Sequence, residues 1–254
     1  MQERYTDERR LSFDQKAEQY DAIRPGYPEA VVDDVLARTG AATIVEIGAG
    51  TGKATVLFAR KECEVTAIEP GPKLAAVLRR NVAAFPAVTV AETTFEAWPA
   101  SPCDLVVAAQ SLHWVDPGAR FRKASRVAPA LAVIYNEKDD FEPALRDELD
   151  AAYARSFPGA DPEAVRGAVA KKRAEYVAQI NASRCYGDVE VELYPWTASY
   201  TSAEYISLLD TYSDHAILPD ERRLPLYADI AAAIDRRGGI TIPYVTMLFL
   251  AQRR

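Results

Sequence analysis

The chain has 254 residues, of which 49% are hydrophobic, enough for one large domain with a full core. Its formal net charge is -7, which disfavours a general electrostatic grip on nucleic-acid phosphates or anionic membranes. Three scattered cysteines, Cys63, Cys103 and Cys185, form no C-x-x-C pair, so neither a disulfide framework nor a zinc site is expected. Residues 1–10 are strongly charged and unlike a secretory leader. No apolar run approaches the ~20 residues of a membrane helix, and the expected location is the cytoplasm.

In chain order, the apolar residues Val31, Val32, Val35 and Leu36 share one helical face and Gly40 stops that helix. A strand over Thr43–Ile47 runs into a glycine-rich turn at 48–52, then a helix over 53–61. Glu64–Ile68 reads as a second strand ending at Glu69-Pro70, and Pro72 suits the first turn of the following helix. Val88–Ala91, Asp104–Ala108 and Leu131–Tyr135 read as three more strands, with a helix near 118–127. Their unbroken apolar character is that of parallel strands covered on both faces.

After Asn136 two helices are predicted, over 143–156 and 162–181, and they read as a lid inserted into the domain. Strand character returns at Val189–Ser199, followed by helices near 202–212 and 222–236. Beyond Gly238-Gly239, residues 240–251 are rich in β-branched and aromatic residues and predict a closing strand. The whole reads as a single α/β domain: cap 1–28, core 29–136, helical lid 137–186, and C-terminal strands and helices 187–254.

The most informative stretch is Glu46-Ile47-Gly48-Ala49-Gly50-Thr51-Gly52. Glycines after a strand permit a sharp turn and a close approach of backbone to ligand. Glu69, at the end of the next strand, offers a carboxylate to the hydroxyls of a ribose. A dinucleotide fingerprint would need its third glycine at position 53, where Lys53 stands, and Glu46 is unfavourable beside a pyrophosphate. A nicotinamide-dependent oxidoreductase is therefore disfavoured.

This pattern resembles the first motif of the class I S-adenosylmethionine-dependent methyltransferases, acidic-x-Gly-x-Gly-x-Gly, through Glu46, Gly48, Gly50 and Gly52. Residues 13–28, with Tyr20, Arg24-Pro25 and Tyr27-Pro28, resemble the N-terminal cap of the trans-aconitate-methyltransferase-like subgroup, and 104–110 resembles the family's fourth strand. The resemblance implies a Rossmann-like, doubly wound, seven-stranded sheet, mostly parallel with an antiparallel last strand. It implies S-adenosyl-L-methionine as cofactor, with its methionine part on the turn, including Ala49, and its ribose on Glu69 beside Pro70. Thr94 and Phe95 then flank adenine, an imperfect match, because the family often has an acidic and a small residue there; Phe95 either packs on the adenine edge or is a core aromatic under the loop.

Gln110-Ser111-Leu112-His113-Trp114 follows the fourth strand and resembles a motif near the cofactor's sulfonium. Trp114 or Tyr20 offers an aromatic face to that cation, and Arg24 a bidentate fork to its carboxylate. His113 is the candidate general base, or else a structural hydrogen-bonding residue; His215 has no motif around it and reads as a loop residue. Tyr135, Trp196, Tyr200, Tyr205 and Tyr212 line a substrate pocket or belong to the core. The expected activity is methylation of a small molecule at a carboxylate or hydroxyl oxygen, by a monomer or homodimer that binds neither nucleic acid nor membrane. The rival is a non-methylating cyclase or regulatory binder on the same scaffold, which fold alone does not separate.

Overall fold

The computed structural model describes residues 14, 16–140, 142–157, 166–216 and 218–254. The start of the predicted cap and residues 158–165 of the predicted lid lie outside the described residues. In chain order the elements are α1 (Ala17–Ile23), α2 (Glu29–Thr39), β1 (Thr43–Ile47), α3 (Lys53–Arg60), β2 (Glu64–Ile68), α4 (Pro72–Asn81) and β3 (Val88–Ala91). There follow β4 (Leu105–Ala109), a 3-10 turn (Leu112–Trp114), α5 (Arg120–Val127), β5 (Ala130–Lys138), α6 (Pro143–Ser156) and α7 (Ala168–Ser183). The remaining elements are β6 (Glu190–Tyr200), α8 (Ser202–Asp210), α9 (Ser213–Ala216), α10 (Asp220–Asp235) and β7 (Ile240–Gln252).

Seven strands form one sheet in the order β3-β2-β1-β4-β5-β7-β6. β1 pairs in parallel with β2 on one side and β4 on the other, and only β7 runs antiparallel to its neighbours β5 and β6. The chain order reverses between β1 and β4, and at such a switch point the crevice beyond the strand ends receives ligands. The expected α/β architecture is present.

Side-chain alternation along each strand feeds two separate cores. Ile44, Val65, Ala67, Val107 and Ile134 face α2, α3 and α4, meeting Val32, Phe58 and Leu78. Val45, Ile47, Val106, Leu131 and Phe249 face the opposite way and meet Phe121 and Ala124 of α5 and Tyr176 and Ile180 of α7. A third cluster joins Leu145 and Leu149 of α6 to Leu208 of α8, Ile230 and Ile234 of α10 and Ile242 of β7.

The predicted lid therefore divides. Its second helix, α7, is a layer of the main core, with Ile180 fully buried, while α6 belongs to a helical group with α8 and α10. The two helices read as one inserted lid thus pack on different clusters, because periodicity marks an apolar face without telling which surface covers it. The helical group lies over the carboxyl end of the sheet, where Lys138 of β5, Tyr244 of β7 and Trp196 of β6 stand in register.

Candidate functional site

At the end of β1 the backbone turns through left-handed conformations at Gly48 (φ 62°), Gly50 (φ 59°) and Gly52 (φ 90°). A Cβ on Gly48 would stand 2.6 Å from Ser111 Cβ, and one on Gly52 would stand 2.6 Å from Leu78 Cδ1. These two glycines are demanded by packing. At Gly50 the nearest atom would be Tyr20 Cε1, 4.0 Å away, so a Cβ here would make only ordinary contact with that ring.

The second strand delivers its carboxylate to the same place. Glu69, 5% exposed, accepts from the Gly50 amide at 2.8 Å and from the Gly71 amide at 2.8 Å. The Ala49 amide donates to the Ile68 carbonyl at 2.9 Å, fastening the turn to the end of β2. Sequence reasoning missed one partner, Asp14, whose buried carboxylate accepts from the amides of Lys73 and Leu74 and so ties the cap to the start of α4. Pro70, half-buried, links Glu69 to that helix.

Glu46 lies beneath the turn, buried, accepting from Thr55 Oγ1 at 2.6 Å. Burial raises its pKa to about 7, against the pull of that hydrogen bond. The cap helix α1 closes over the turn: Lys53 Nζ donates to the Asp21 carbonyl at 2.7 Å, and Asn81 Nδ2 donates to the Thr51 carbonyl at 2.9 Å.

On the β4 side, Gln110 sits at φ 58°, an unusual conformation for a residue with a side chain and one often retained at functional sites. Its Nε2 donates to the Asn136 carbonyl at 2.8 Å. Ser111 Oγ donates to the Ile47 carbonyl, joining the ends of β1 and β4 across the switch point. Asn136 anchors a chain of bonds: Trp196 Nε1 donates to Thr246 Oγ1 (2.9 Å), Thr246 Oγ1 donates to Asn136 Oδ1 (2.6 Å), and Asn136 Nδ2 donates to the Gly26 carbonyl (2.8 Å). A lone asparagine in an apolar strand was the signal available in the sequence.

His113 and Trp114 lie in the 3-10 turn with ring centroids 5.0 Å apart, and Tyr135 stands 6.2 Å from His113. Burial, then the Lys172 and Arg120 charges, lowers the His113 pKa to about 4, so the imidazole is neutral at pH 7 and a weak proton acceptor. His215, expected in a loop, is instead buried in α9 with Tyr153 Oη 3.1 Å from its Nε2.

Three expected site residues make other contacts. Arg24 Nε donates to Thr211 Oγ1 at 2.7 Å and Nη2 to the Thr211 carbonyl at 2.8 Å, while its guanidinium lies 4.0 Å from the Tyr212 ring centroid. That arginine joins the cap to the helical group. Phe95 is 3% exposed and packs with Trp98 in the core, and Thr94 Oγ1 accepts from the Ala97 amide. An apolar ring next to a loop gains more from burial than from presentation at a surface.

The strand order and the strand-turn-helix with an acidic clasp define the Rossmann-like fold of the class I methyltransferases. Residues 44–131 match a family model described as a methyltransferase domain. Uncharacterized methyltransferases of Mycobacterium tuberculosis and Mycobacterium bovis are 33% identical over 135 residues, which cover 51% of this chain and 54% of each relative. The chain thus spans about half the length of these relatives. Among solved structures, a protein of Anaeromyxobacter dehalogenans assigned to the type II methyltransferases superposes with a TM-score of 0.58 at 19% identity, over 91% of this chain and 97% of that one. A phosphoethanolamine N-methyltransferase of Haemonchus contortus, in complex with phosphomonomethylethanolamine and S-adenosylhomocysteine, gives 0.51 at 15% identity, over 94% of this chain and 57% of that one. These two likenesses are of fold. Among the described residues no helix is long and apolar enough to cross a membrane.

Proposed function

We propose that this chain is an S-adenosyl-L-methionine-dependent methyltransferase acting on a small molecule, by preference at an oxygen. The observation that carries the reading is the clasp between Glu69 and the Gly50 amide at the switch point, close to the Tyr20 ring. A glycine at position 50 keeps the turn free of side chain on the side of that ring, which suits the approach of an adenosyl and methionyl group to the backbone. When bound, the cofactor supplies a methyl group already activated on a sulfonium.

The residues of the chain bind, orient and exclude water. Glu69 is the acceptor for ribose hydroxyls, the turn at 48–52 offers backbone to the methionine part, and the Tyr20 ring lies against that turn at Gly50. The rings of His113, Trp114 and Tyr135 border the β4 side of the crevice, where an in-line displacement needs its nucleophile held in alignment. With its pKa lowered to about 4, His113 is better suited to orienting an acceptor than to deprotonating one. A carboxylate oxygen, which needs no base, fits this inventory more readily than a neutral hydroxyl. The trans-aconitate-like subgroup remains part of the proposal, supported by the cap residues Tyr20, Arg24 and Tyr27. Neither nucleic acid nor a membrane has a role in it.

Incubation of the protein with S-adenosylmethionine carrying an isotopically labelled methyl and a panel of small organic acids tests the reading. Label on an acceptor supports it. Binding of the cofactor with rearranged, unlabelled products favours a cyclase or regulatory binder on the same scaffold, and absence of any affinity for S-adenosylhomocysteine removes the assignment altogether.

A further inference from the structure

Tyr212 brings two cations together at the rim of the crevice. Arg24 Cζ lies 4.0 Å from its ring centroid and Lys138 Nζ 5.0 Å from it. The Lys138 ammonium donates to Tyr205 Oη at 3.2 Å and lies 4.9 Å from the Tyr205 ring centroid. Among the described residues, no carboxylate is within ion-pair distance of either cation. Of the neighbouring acids, Asp210 pairs with Lys16 and lies 3.6 Å from Arg223, Asp214 accepts from the His215 amide, and Glu137 accepts from the Lys138 amide and feels the Lys172 and Lys138 charges without ion-pair contact to Lys138.

Like charges gathered in a partly buried place raise each other's energy, and a half-buried ammonium whose hydrogen-bond partner among the described residues is a phenol has donors left to offer. An anion relieves both costs at once, with charge-assisted hydrogen bonds from Lys138 and the neighbouring donors. The position also matters. Lys138 ends β5, two strands removed from the glycine turn across β4, roughly 10 Å sideways by sheet spacing and about four residues further along the strand direction than Gly48. That is far from the methionine part of a cofactor lying on β1 and close to where an acceptor must enter. Trp196 stacked on Tyr244 (4.8 Å between centroids) and Tyr200 near Tyr205 (6.2 Å) give the neighbourhood apolar walls.

We propose that Lys138 and Arg24, with the Tyr205 hydroxyl, form an anion subsite that holds a carboxylate or phosphate of the methyl acceptor, apart from the atom that is methylated. This rests on the methyltransferase reading, which supplies the acceptor.

The test is calorimetric titration of the full chain with citrate and with inorganic phosphate, each with and without saturating S-adenosylhomocysteine, with glycerol as the neutral control. At least one anion binds the wild type; Lys138→Met weakens it about tenfold or more, while Lys138→Arg holds within about threefold of the wild type. Tyr205→Phe, which keeps both cations and the ring, gives a smaller loss and covers the case in which Lys138→Met fails to fold. S-adenosylhomocysteine affinity stays within about twofold in all three variants. Which anion prevails distinguishes a carboxylate acceptor from a phosphate ester. If neither anion binds, or if Lys138→Met binds as the wild type does, the subsite is overturned. If Lys138→Met weakens S-adenosylhomocysteine as strongly as the anions, the cations serve the cofactor's carboxylate and the acceptor assignment fails. Should S-adenosylhomocysteine bind no variant, it is the methyltransferase reading that falls, and the Lys138 dependence of the anion titration still decides the subsite.

Discussion

The Glu69 carboxylate bridges the Gly50 and Gly71 amides, one oxygen to each, at 2.8 Å in both cases. One side chain thereby sets the distance between the glycine turn and the start of α4. Replacing Glu69 with Ala leaves two amides unanswered and removes the acceptor for the ribose. We expect Glu69→Ala to lower S-adenosylhomocysteine affinity by about ten- to a hundredfold in calorimetry, with Glu69→Gln intermediate.

Gly48 and Gly50 share a backbone conformation but differ in surroundings, and their alanine variants should part accordingly. Gly48→Ala drives a methyl into Ser111 and is expected to cost about 2–4 kcal/mol in urea unfolding. Gly50→Ala meets only an ordinary contact with Tyr20, costs about 1–2 kcal/mol from its positive φ, and shows its main effect as lost cofactor affinity. Equal stability losses in the two variants would contradict this division.

Glu46 and His113 give opposite pH dependences of stability. The raised pKa of Glu46, about 7 against 4.5 unfolded, means that the folded chain holds the extra proton between those values, so its contribution falls as pH rises through that window. Glu46→Gln should therefore be more stable than the wild type at pH 8 and lose this advantage by pH 4.5. The lowered pKa of His113, about 4 against 6.5, means that the unfolded chain holds the extra proton, so its contribution is full above pH 6.5 and shrinks as pH falls toward 4. His113→Phe should flatten that acid limb, by at most about 3 kcal/mol.

For turnover, an imidazole neutral from pH 6 to 9 contributes no inflection near 6.5 in kcat/KM. His113→Gln should keep the shape of the pH profile while changing kcat through acceptor orientation. An inflection near neutrality that vanishes in the variant would restore His113 as the base.

Asn136 is the junction of the bonds from Trp196 through Thr246 to Gly26. Asn136→Ala takes the acceptor from the buried Thr246 hydroxyl and the donor from the Gly26 carbonyl, and is expected to cost about 1–3 kcal/mol, seen as a lower Tm.

Much of this was legible in residues because the information was local. β1, the turn and α3 form a contiguous pattern, and Glu69 stands where a parallel strand must end if it neighbours β1. The boundaries of α6 are those expected, because Pro143 and the Glu142 cap mark its start. What escaped depended on contacts between distant segments. Nothing near Arg24 signals Thr211, and nothing in the pattern of α7 tells that Tyr176 meets Phe249 in the main core. His215 was placed by loop position, yet burial claimed it, and of the two readings of Phe95 the buried core ring is the one found. Nothing in the sequence singled out Lys138, around which Tyr205 and Tyr212 close.

The strand latest in the sequence, β7, is an interior one, lodged between β5 and β6. Hydrogen bonding of β6 to the rest of the sheet must wait until Ile240–Gln252 has docked, so this stretch acts as a keystone. A chain cut before Ile240 would leave the flank of β5 bare and β6 without a partner, two open templates for aggregation in place of one finished sheet.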